Sequence, residues 1–318
     1  MGISTTQALD CFHSDDLIGI GMEADAVRRT LHPEGVVSYL VDRRVRIATA
    51  GKREACDDTA EAIYAQAAET LDLGGTGLHL ELAPAAALPS LEWICALLSG
   101  LRQRFPALCL HGLSTSAVVA LAAASDLSLR ETLTRLCDAA LNSLAGDDAM
   151  ISQSSSWIEV HRTAHQIGLR STAAMVFGFD ETLDQRVDHL QSIRALQEET
   201  GGFTAFTPIA FHPDLHPGNV IPIDWQPPTA VEYLRTLAIS RMLLDNIAHI
   251  QSSSAAQGLK VVQMTLRFGG NDLGSISLEA GAQRANRTTE EDLRRVIRDA
   301  GFRPVQRDTL YRTHFLNH

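Results

Sequence analysis

The fold is decided by a stretch in which helical and strand patterns alternate twice in close succession. It consists of residues 157–168 (WIEVHRTAHQIG), 170–177 (RSTAAMVF), 183–199 (LDQRVDHLQSIRALQEE) and 203–211 (FTAFTPIAF). The first and third segments have helical spacing, whereas the second and fourth are short apolar runs typical of buried strands. Such alternation, with units of about 30 residues, is typical of βα units and predicts parallel strands.

The same alternation continues in both directions from this stretch. Helical spacing recurs at 59–71, 90–105, 129–140, 229–245 and 288–300, and strand patterns recur at 39–50, 76–82, 107–113, 141–145 and 249–252. The last helix begins with a capping box, Thr288-x-x-Glu291. An open doubly wound sheet fits this pattern too, but no glycine-rich phosphate-binding sequence follows the first strand. We therefore predict an α/β fold of the TIM-type (βα) barrel kind, with residues 1–318 in a single domain.

Composition and charge exclude several classes of protein. The chain has 318 residues, 45% hydrophobic and 20% charged, with a formal net charge of −11 and no basic run. Nucleic acid is therefore not expected as a partner, because phosphate binding needs a positive patch. We find no signal peptide and no apolar run of about 18 residues, so we expect a cytoplasmic protein without a membrane partner. The five cysteines are widely spaced, which argues against disulfides and zinc knuckles.

Several segments resemble the radical S-adenosylmethionine (SAM) family of dehypoxanthine futalosine cyclases and aminofutalosine synthases of the futalosine route to menaquinone. They include DAVRR (25–29), YLVDR (39–43), MVFG (175–178), EYLRTLAISR (232–241), HIQ (249–251) and NDLGS (271–275). The resemblance extends over residues 16–311 and is strongest after Thr172. It implies a (βα) barrel in which residues 212–318 form the family-specific C-terminal part.

One loop departs from the family pattern. The family has a Cys-x-x-x-Cys-x-x-Cys loop after its first strand, which binds a four-iron cluster, whereas here Gly51 takes the first cysteine position and Cys56 is the nearby thiol. Because one thiol cannot hold such a cluster, we expect no iron–sulfur cluster. Glu81-Leu82-Ala83 replaces the Gln-Gly-Gly of the family, and 146–150 (GDDAM) replaces a motif ending in Ala-Glu. These changes argue against SAM binding.

Candidate catalytic residues follow from the period of two along strands. On the second strand His79 and Glu81 share a face that points into the barrel, with Leu78 and Leu80 toward the helices, and His111 lies near the same end of the third strand. Two imidazoles and one carboxylate are a known ligand set for iron or zinc, so a single divalent metal is one hypothesis. A polar pocket without metal is the alternative, since histidine serves both roles.

Further candidates lie on the loops and in the C-terminal half. Asp147 and Asp148 could act as an acid–base group or cap the following helix. His212, Asp214 and His216 form a loop that could bind metal, although a solvated turn fits its composition better. By the resemblance, the C-terminal half contributes the substrate pocket, whose candidate residues are Thr207, Arg241, Gln251, Ser253, Arg267, Asn271, Asp272 and Glu279.

These observations leave three hypotheses for function. The first is an enzyme that performs redox-neutral acid–base or metal-assisted chemistry, of the lyase, cyclase or isomerase type, on a polar nucleoside-like or cyclic small molecule. The second is a non-catalytic paralogue that binds a ligand or pairs with an active futalosine cyclase-like enzyme, and a homodimer is compatible with both. The third is an enzyme that binds SAM for polar rather than radical chemistry.

Overall fold

The structure of this chain is a computed structural model that describes residues 2–47, 53–82, 88–146, 154–213, 221–278, 288–312 and 314–315. Its helices are α1 (Thr5–His13), α2 (Leu17–Leu31), α3 (Arg53–Asp72), α4 (Leu91–Arg104), α5 (Thr115–Ala124), α6 (Leu129–Asp138), α7 (Ser154–Gln166), α8 (Leu183–Thr200), α9 (Ala230–Leu243), α10 (Ser254–Thr265) and α11 (Glu290–Asp299). Its strands are β1 (Val36–Ile47), β2 (Gly77–Leu82), β3 (Cys109–Gly112), β4 (Ser143–Leu144), β5 (Arg170–Phe177), β6 (Phe203–Ala210), β7 (His249–Ile250), β8 (Asp272–Ser277), β9 (Arg303–Arg307) and β10 (His314–Phe315).

Strands β1 to β8 form a nearly closed barrel of parallel strands, with helices between them. Neighbours pair in sequence order from β1 to β7, and β8 pairs with β1 on its other side. The circle closes between β7 and β8 through a single parallel bridge from Gln251 to Asp272. The predicted barrel is therefore confirmed, and the open doubly wound sheet is excluded.

The N-terminal end of the barrel carries two additional strands. β9 pairs in parallel with the first half of β1, from Val36 to Leu40, whereas β2 pairs with the second half, from Asp42 to Ile47. β10 then pairs antiparallel with β9. The segment that connects β9 to β10 consequently lies under the barrel and forms part of its floor.

The apolar side chains of β1 show which of its faces points outward. Tyr39 and Val41 pack with Leu293 of α11, and Val45 and Ile47 pack in the cluster that lies against α3 and α4. Because successive side chains of a strand point to opposite faces, Ser38, Leu40, Asp42, Arg44 and Arg46 face the barrel interior. A strand that ends in three charged inward-facing residues is unusual for a packed core and indicates a polar interior.

Some elements differ from the prediction. The α11 helix begins one residue later than predicted, since Thr289 is its N-cap and Asp292 completes the capping box. The helices α1, α2, α5 and α10 and the strands β8, β9 and β10 were not predicted. Within the described ranges, no helix combines the length and the apolar character needed to cross a membrane.

Candidate active site

The two histidines predicted on β2 and β3 lie side by side inside the barrel. Their residues are directly paired in the sheet, and their ring centroids are 5.1 Å apart in an edge-on arrangement. Leu78 and Leu80 pack on the helix-facing side, as the strand period predicts. His111 is buried and its Nδ1 lies 2.5 Å from Ser143 Oγ, so the β4 hydroxyl sets its ring orientation. In contrast, 23% of the His79 side chain is exposed, and this imidazole can therefore meet a ligand.

Both imidazoles are neutral near pH 7 in this interior. Burial lowers the pKa of His111 to about 4, and the charge of Arg307 contributes to the same effect. Burial also lowers the pKa of His79 well below its usual value, with His111 and Arg44 adding to the shift. A neutral imidazole carries one N–H donor and one acceptor nitrogen, and can therefore accept a proton from a bound molecule.

Glu81 is held beside this pair by an arginine of β1. Arg44 Nη1 lies 3.0 Å from Glu81 Oε1, and His79 Nε2 lies 3.8 Å from the same oxygen. The carboxylate is thus drawn toward the guanidinium rather than toward the imidazole. Arg44, His79 and Glu81 together form a charged and partly exposed rim at the C-terminal mouth of the barrel, where barrel enzymes place their active sites.

Asp42 lies deeper on β1 and is buried. Ser275 of β8 donates a hydrogen bond to Asp42 Oδ1. Burial raises the pKa of Asp42 to about 6, although Ser275 and the charges of Arg44 and Arg307 oppose the shift. A carboxyl with this pKa keeps its proton in about a tenth of the molecules at pH 7, far more than an ordinary aspartate, and it can therefore act as an acid.

The floor of the interior is built around an ion pair between Asp272 and Arg307. Arg307 Nε donates to Asp272 Oδ2 at 2.6 Å and its Nη2 donates to Oδ1 at 2.9 Å, with both side chains almost fully buried. Ser38 Oγ and the Gly274 amide donate to the same carboxylate, at 2.5 and 2.7 Å. The charge of Arg307 and these hydrogen bonds outweigh burial and hold the pKa of Asp272 below its usual value.

Tyr311 enters this floor from the segment between β9 and β10. Its ring lies between the guanidinium carbon of Arg307, 3.9 Å from the ring centroid, and the ring of His249, 3.7 Å away and nearly parallel. Gln251 Nε2 donates to the Tyr311 hydroxyl at 2.6 Å, and Thr207 Oγ1 donates to Gln251 Oε1 at 2.9 Å. Thr207 and Gln251, two predicted substrate-binding residues, are thus joined in the interior.

The other predicted substrate-binding residues do not line the mouth. Arg241 is fully buried under β7, where it donates to the carbonyls of Ile247, Ala248 and Gly269 and to the Asn271 side chain. Asn271 in turn contacts the rings of His32 and His249. These two side chains brace the ends of β7 and β8.

Three more predicted residues also lie away from the mouth of the barrel. Arg267 donates to the Ala300 carbonyl at 2.6 Å and lies over the Phe302 ring, on the outside of the barrel. Ser253 is half-buried and precedes α10 as its N-cap residue. Asp272 belongs to the floor described above, where an arginine already satisfies it. The structure places these three residues and Arg241 away from the mouth, and substrate binding by them stays a prediction.

Several predicted residues lie outside the described part of the chain. They are Asp147, Asp148, Asp214, His216 and Glu279, and the loop that contains Gly51.

His79, Glu81 and His111 were also predicted as metal ligands. Within the described ranges, no three His, Cys, Asp or Glu side chains are grouped to hold a metal ion. The reason is local, since Ser143 engages His111 and Arg44 engages Glu81.

Several residues of this interior were not predicted from the sequence, and they include Arg44, Asp42, Ser143, Ser275, Arg307 and Tyr311. Asp42 could have been found, because the period of two that identified His79 also applies to β1. Ser143 lies on a strand of only two residues, which carries no readable period. Arg307 ends a strand that the alternation did not predict, and Tyr311 follows that strand, so the strand pattern gave no signal for either residue.

Comparison with known proteins agrees with the fold. Residues 200–317 match the family model described as the CofH/MqnC C-terminal region. The chain is 35% identical to a cyclic dehypoxanthine futalosine synthase of Streptomyces coelicolor, over 97% of this chain and 85% of the relative. It is 31% identical to an aminodeoxyfutalosine synthase of Thermus thermophilus, over 82% and 75%. It is also 34% identical to a 5-amino-6-(D-ribitylamino)uracil–L-tyrosine 4-hydroxyphenyl transferase of Methanosarcina mazei, over 70% and 64%.

Two solved structures share the architecture at low sequence identity. Methylornithine synthase (PylB) has a TM-score of 0.62 with 12% identity, covering 96% of this chain and 94% of that chain. The FeFe-hydrogenase maturase HydG has a TM-score of 0.65 with 12% identity, covering 95% and 73%. At this identity the likeness supports the barrel fold alone.

The comparisons contradict the expectations on cofactors. Relatives at 30–35% identity over almost the whole chain place it among radical SAM proteins, which use an iron–sulfur cluster and SAM. The predicted lack of a cluster, the predicted loss of SAM binding and the predicted single divalent metal are therefore wrong. Those predictions depended on short segments, chiefly the loop after β1, and residues 48–52 of that loop lie outside the described part.

Proposed function

Because this chain belongs to the family of cyclic dehypoxanthine futalosine synthases and aminodeoxyfutalosine synthases, we propose that the mouth of its barrel is an active site for a polar, nucleoside-like small molecule. The observation that carries the proposal is the pair of neutral imidazoles, His79 and His111, beside the Arg44–Glu81 ion pair. In the proposed reaction these residues move protons on the substrate, and the product is a cyclised or rearranged small molecule.

The thiols that the structure describes do not fit the ligand set of an iron–sulfur cluster. Cys11, Cys95, Cys109 and Cys137 are separate free thiols. Cys56 belongs to a stretch whose side chains lie outside the described part. The proposed roles therefore belong to side chains of this chain.

His79 is the proposed general base. Its imidazole is neutral, partly exposed and next to Glu81, and it can take a proton from an O–H or N–H group of the substrate. His111 lies against it and is fixed by Ser143, so the pair keeps one geometry. Once His79 is charged, the nearby Glu81 carboxylate stabilises the imidazolium through its opposite charge.

Asp42 is the proposed general acid. Its raised pKa, about 6, and the lowered pKa values of the histidines are shifts in opposite directions within one interior. Such a pair of environments separates an acid from a base at the same pH. The Ser275 hydrogen bond keeps the Asp42 carboxyl in place for this role.

The test uses small molecules that appear in the names of the relatives, namely 5-amino-6-(D-ribitylamino)uracil and dehypoxanthine futalosine. Each is incubated with the protein after reconstitution of the cofactors of the family, and conversion is followed by mass spectrometry. We expect conversion of at least one compound, and a decrease of about 10²-fold or more in His79→Gln and His111→Gln. The exposed His13, changed to Gln, is the matched control and should leave conversion unchanged.

Two outcomes would contradict the proposal. One is conversion that remains at the wild-type rate in both His79→Gln and His111→Gln. The other is calorimetric binding of either compound without conversion under any reconstitution, which would support the hypothesis of a non-catalytic ligand-binding paralogue.

A further inference from the structure

The N-terminal end of the barrel, opposite the mouth, contains a large cavity. Its volume is about 670 Å³, within the range of pockets that hold small molecules. The segment between β9 and β10 forms one side through Tyr311 and Arg312. The other walls come mainly from residues that precede or begin the strands β4 to β7, and these residues lie within 137–142, 168–170, 203–204 and 246–249. The proposed general acid and base lie elsewhere, on β1 and β2.

A second cavity, of about 320 Å³, adjoins the first. Asn142 and Arg312 line both cavities, so these two side chains lie where the cavities meet. The smaller cavity extends from there toward the start of β3, where Cys109 lines it. A molecule bound beside Asn142 and Arg312 therefore has space on either side.

The side chains around the two cavities carry an excess of positive charge. The described residues that line the larger cavity include Arg170 and Arg312 but no aspartate or glutamate. The described residues of the smaller cavity include Arg102 and Arg312 against one acid, Asp308. Since the whole chain has a formal net charge of −11, this end of the barrel differs in sign from the rest and should attract anions.

Both arginines of the larger cavity keep N–H groups that can bind a ligand. Arg312 Nε lies 3.8 Å from Asp308 Oδ2, which is too long for a hydrogen bond, and 64% of the Arg312 side chain is exposed. Arg170 is also exposed, and its Nη1 donates to the Gly201 carbonyl. Because a guanidinium has five N–H donors and no acceptor, each of these arginines has donors left for an oxyanion.

Asn142 adds a neutral donor whose direction is fixed. Its Oδ1 accepts hydrogen bonds from Arg102 Nη2 at 2.6 Å and from the Leu110 amide at 2.8 Å, so both lone pairs of this oxygen are occupied. Within the described ranges, Asn142 Nδ2 has no acceptor, and this nitrogen is not sealed from solvent. Its N–H groups can therefore donate to a ligand in the cavities that Asn142 lines.

His249 adds a further N–H to the larger cavity. Asn271 Oδ1 accepts from Arg241 Nη2 and from the Ile250 amide. Asn271 Nδ2 therefore donates to His249 Nδ1, at 2.9 Å. Burial lowers the pKa of His249 to about 3, so the ring is neutral and its proton is on Nε2. In the part of the chain that the structure describes, Nε2 has no acceptor and is open to solvent.

We propose that the two cavities form a binding site for an oxyanion-bearing small molecule, in which Asn142 and Arg312 contact the anion and Arg170 and His249 supply further donors. Carboxylates and phosphates share this chemistry, because both present several acceptor oxygens and negative charge to a guanidinium. The volume of the larger cavity leaves space for an organic body attached to the anion. The site lies at the opposite end of the barrel from the proposed active site and is separate from it.

Calorimetric titration of the full chain with inorganic phosphate and with acetate, at constant ionic strength, tests the site. We expect at least one of these anions to bind. Tighter binding of phosphate would assign the ligand to the phosphate esters, and tighter binding of acetate would assign it to the carboxylic acids. Binding of neither anion at millimolar concentration would overturn the proposal.

Asn142→Asp reverses the polarity of the site with almost no change in shape. The variant keeps an oxygen that accepts from Arg102 and from the Leu110 amide, and it replaces the donor in the cavities with a second, negatively charged oxygen. Anion binding should therefore be lost, while circular dichroism shows whether the variant is folded. A folded Asn142→Asp variant that binds the anions like the wild type would refute the proposed site.

Arg312→Gln removes a charged donor at an exposed position and should weaken anion binding about tenfold or more. The matched control is Arg295→Gln, which should bind like the wild type. Arg295 is 61% exposed and lies beside Asp292, much as Arg312 lies beside Asp308. Equal affinities of the two variants would contradict the role of Arg312.

Arg46→Gln tests the mouth of the barrel as the alternative location of a bound anion. Arg46 is an exposed, inward-facing arginine of β1, and its replacement should leave anion binding unchanged. Loss of binding in Arg46→Gln but not in Arg312→Gln would place the anion at the mouth and count against a site at the N-terminal end.

Discussion

Two buried aspartates of the interior have pKa shifts of opposite sign, and the difference lies in their neighbours. Asp42 has a serine as its direct partner, so burial prevails and its pKa rises to about 6. Asp272 has a bidentate arginine and two further donors, and its pKa is lowered. An aspartate carboxyl therefore serves as a proton source at Asp42 and as a fixed negative charge at Asp272.

The Asp272–Arg307 pair yields a stability prediction. Asp272→Asn leaves Arg307 buried without a counter-charge, and should lower the free energy of unfolding by about 3–5 kcal/mol. Urea unfolding followed by circular dichroism measures the change. The exposed ion pair of Arg162 with Glu199 is the matched control, and Glu199→Gln should leave the urea midpoint nearly unchanged. Equal midpoints for the two variants would show that the buried pair does not matter.

Sequence could predict part of the site at this scale. His79 and His111 were identified because regular strands impose a period of two, and the structure brings them together. Arg241 shows the opposite case, since a polar residue in a family-like segment was interpreted as a ligand contact but binds backbone carbonyls. Burial of an arginine depends on which carbonyls lack partners in the folded barrel, and that information is not local in the sequence.

The backbone of β3 lies very close to the backbone of β2 at Gly112, and this distance leaves no room for a side chain there. This residue has φ of +138°, and a Cβ there would lie 2.2 Å from the carbonyl oxygen and 2.6 Å from the amide nitrogen of Leu80. Backbone atoms of a paired strand cannot move aside without breaking the sheet. The site histidine His111 directly precedes this position, so the approach also fixes the catalytic strand.

Gly112→Ala should therefore destabilise the barrel far more than an ordinary glycine replacement. Gly168 is the matched comparison, because it also has a positive φ, +86°, but no atom lies within 4 Å of the position that an alanine Cβ would take there. Gly168→Ala should cost about 1–2 kcal/mol from backbone conformation alone, and Gly112→Ala clearly more. Thermal and urea unfolding of both variants check this, and equal losses would mean that the Leu80 contact is relieved easily.

Prediction of elements from the sequence succeeded where patterns were long. The β5 strand was predicted with its observed bounds, and α8 to within one residue. The start of α11 was placed one residue early because Thr288 with Glu291 and Thr289 with Asp292 satisfy the same capping rule. β9 ends in two polar residues, Gln306 and Arg307, of which Arg307 faces the barrel interior, so its pattern did not indicate a strand.

Buried histidines make the free energy of unfolding of this protein sensitive to acid. Burial lowers the pKa of His161 to about 3 and the pKa values of His111 and His165 to about 4. In the unfolded chain these groups titrate near 6.5, so the unfolded state binds more protons below that pH. Their contribution to stability is complete above about pH 6.5 and is lost as the pH falls toward 4. Asp42 acts in the opposite direction, since its raised pKa favours the folded state at low pH.

The lowered pKa values of several histidines destabilise the fold in acid, and the raised pKa of Asp42 alone has the opposite effect. The free energy of unfolding should therefore fall as the pH is lowered. Urea midpoints measured between about pH 7 and about pH 5 should decrease steadily. His161→Gln removes one buried imidazole and should make the decrease shallower, whereas His13→Gln, at an exposed position, should not. A pH dependence that is identical in the wild type and His161→Gln would contradict this origin.

The pairing of β1 has a consequence for how the polypeptide reaches its native state. Ser38 of β1 bonds Asp272 of β8 across 234 residues of chain, and β1 also needs β9 beside its first half. Contacts this distant in sequence form only after a large loop has closed, which predicts slow, topology-limited refolding. Before β8 and β9 pair with β1, the backbone N–H and C=O groups of β1 are unpaired and can bond to other chains. Aggregation during refolding should therefore increase with protein concentration.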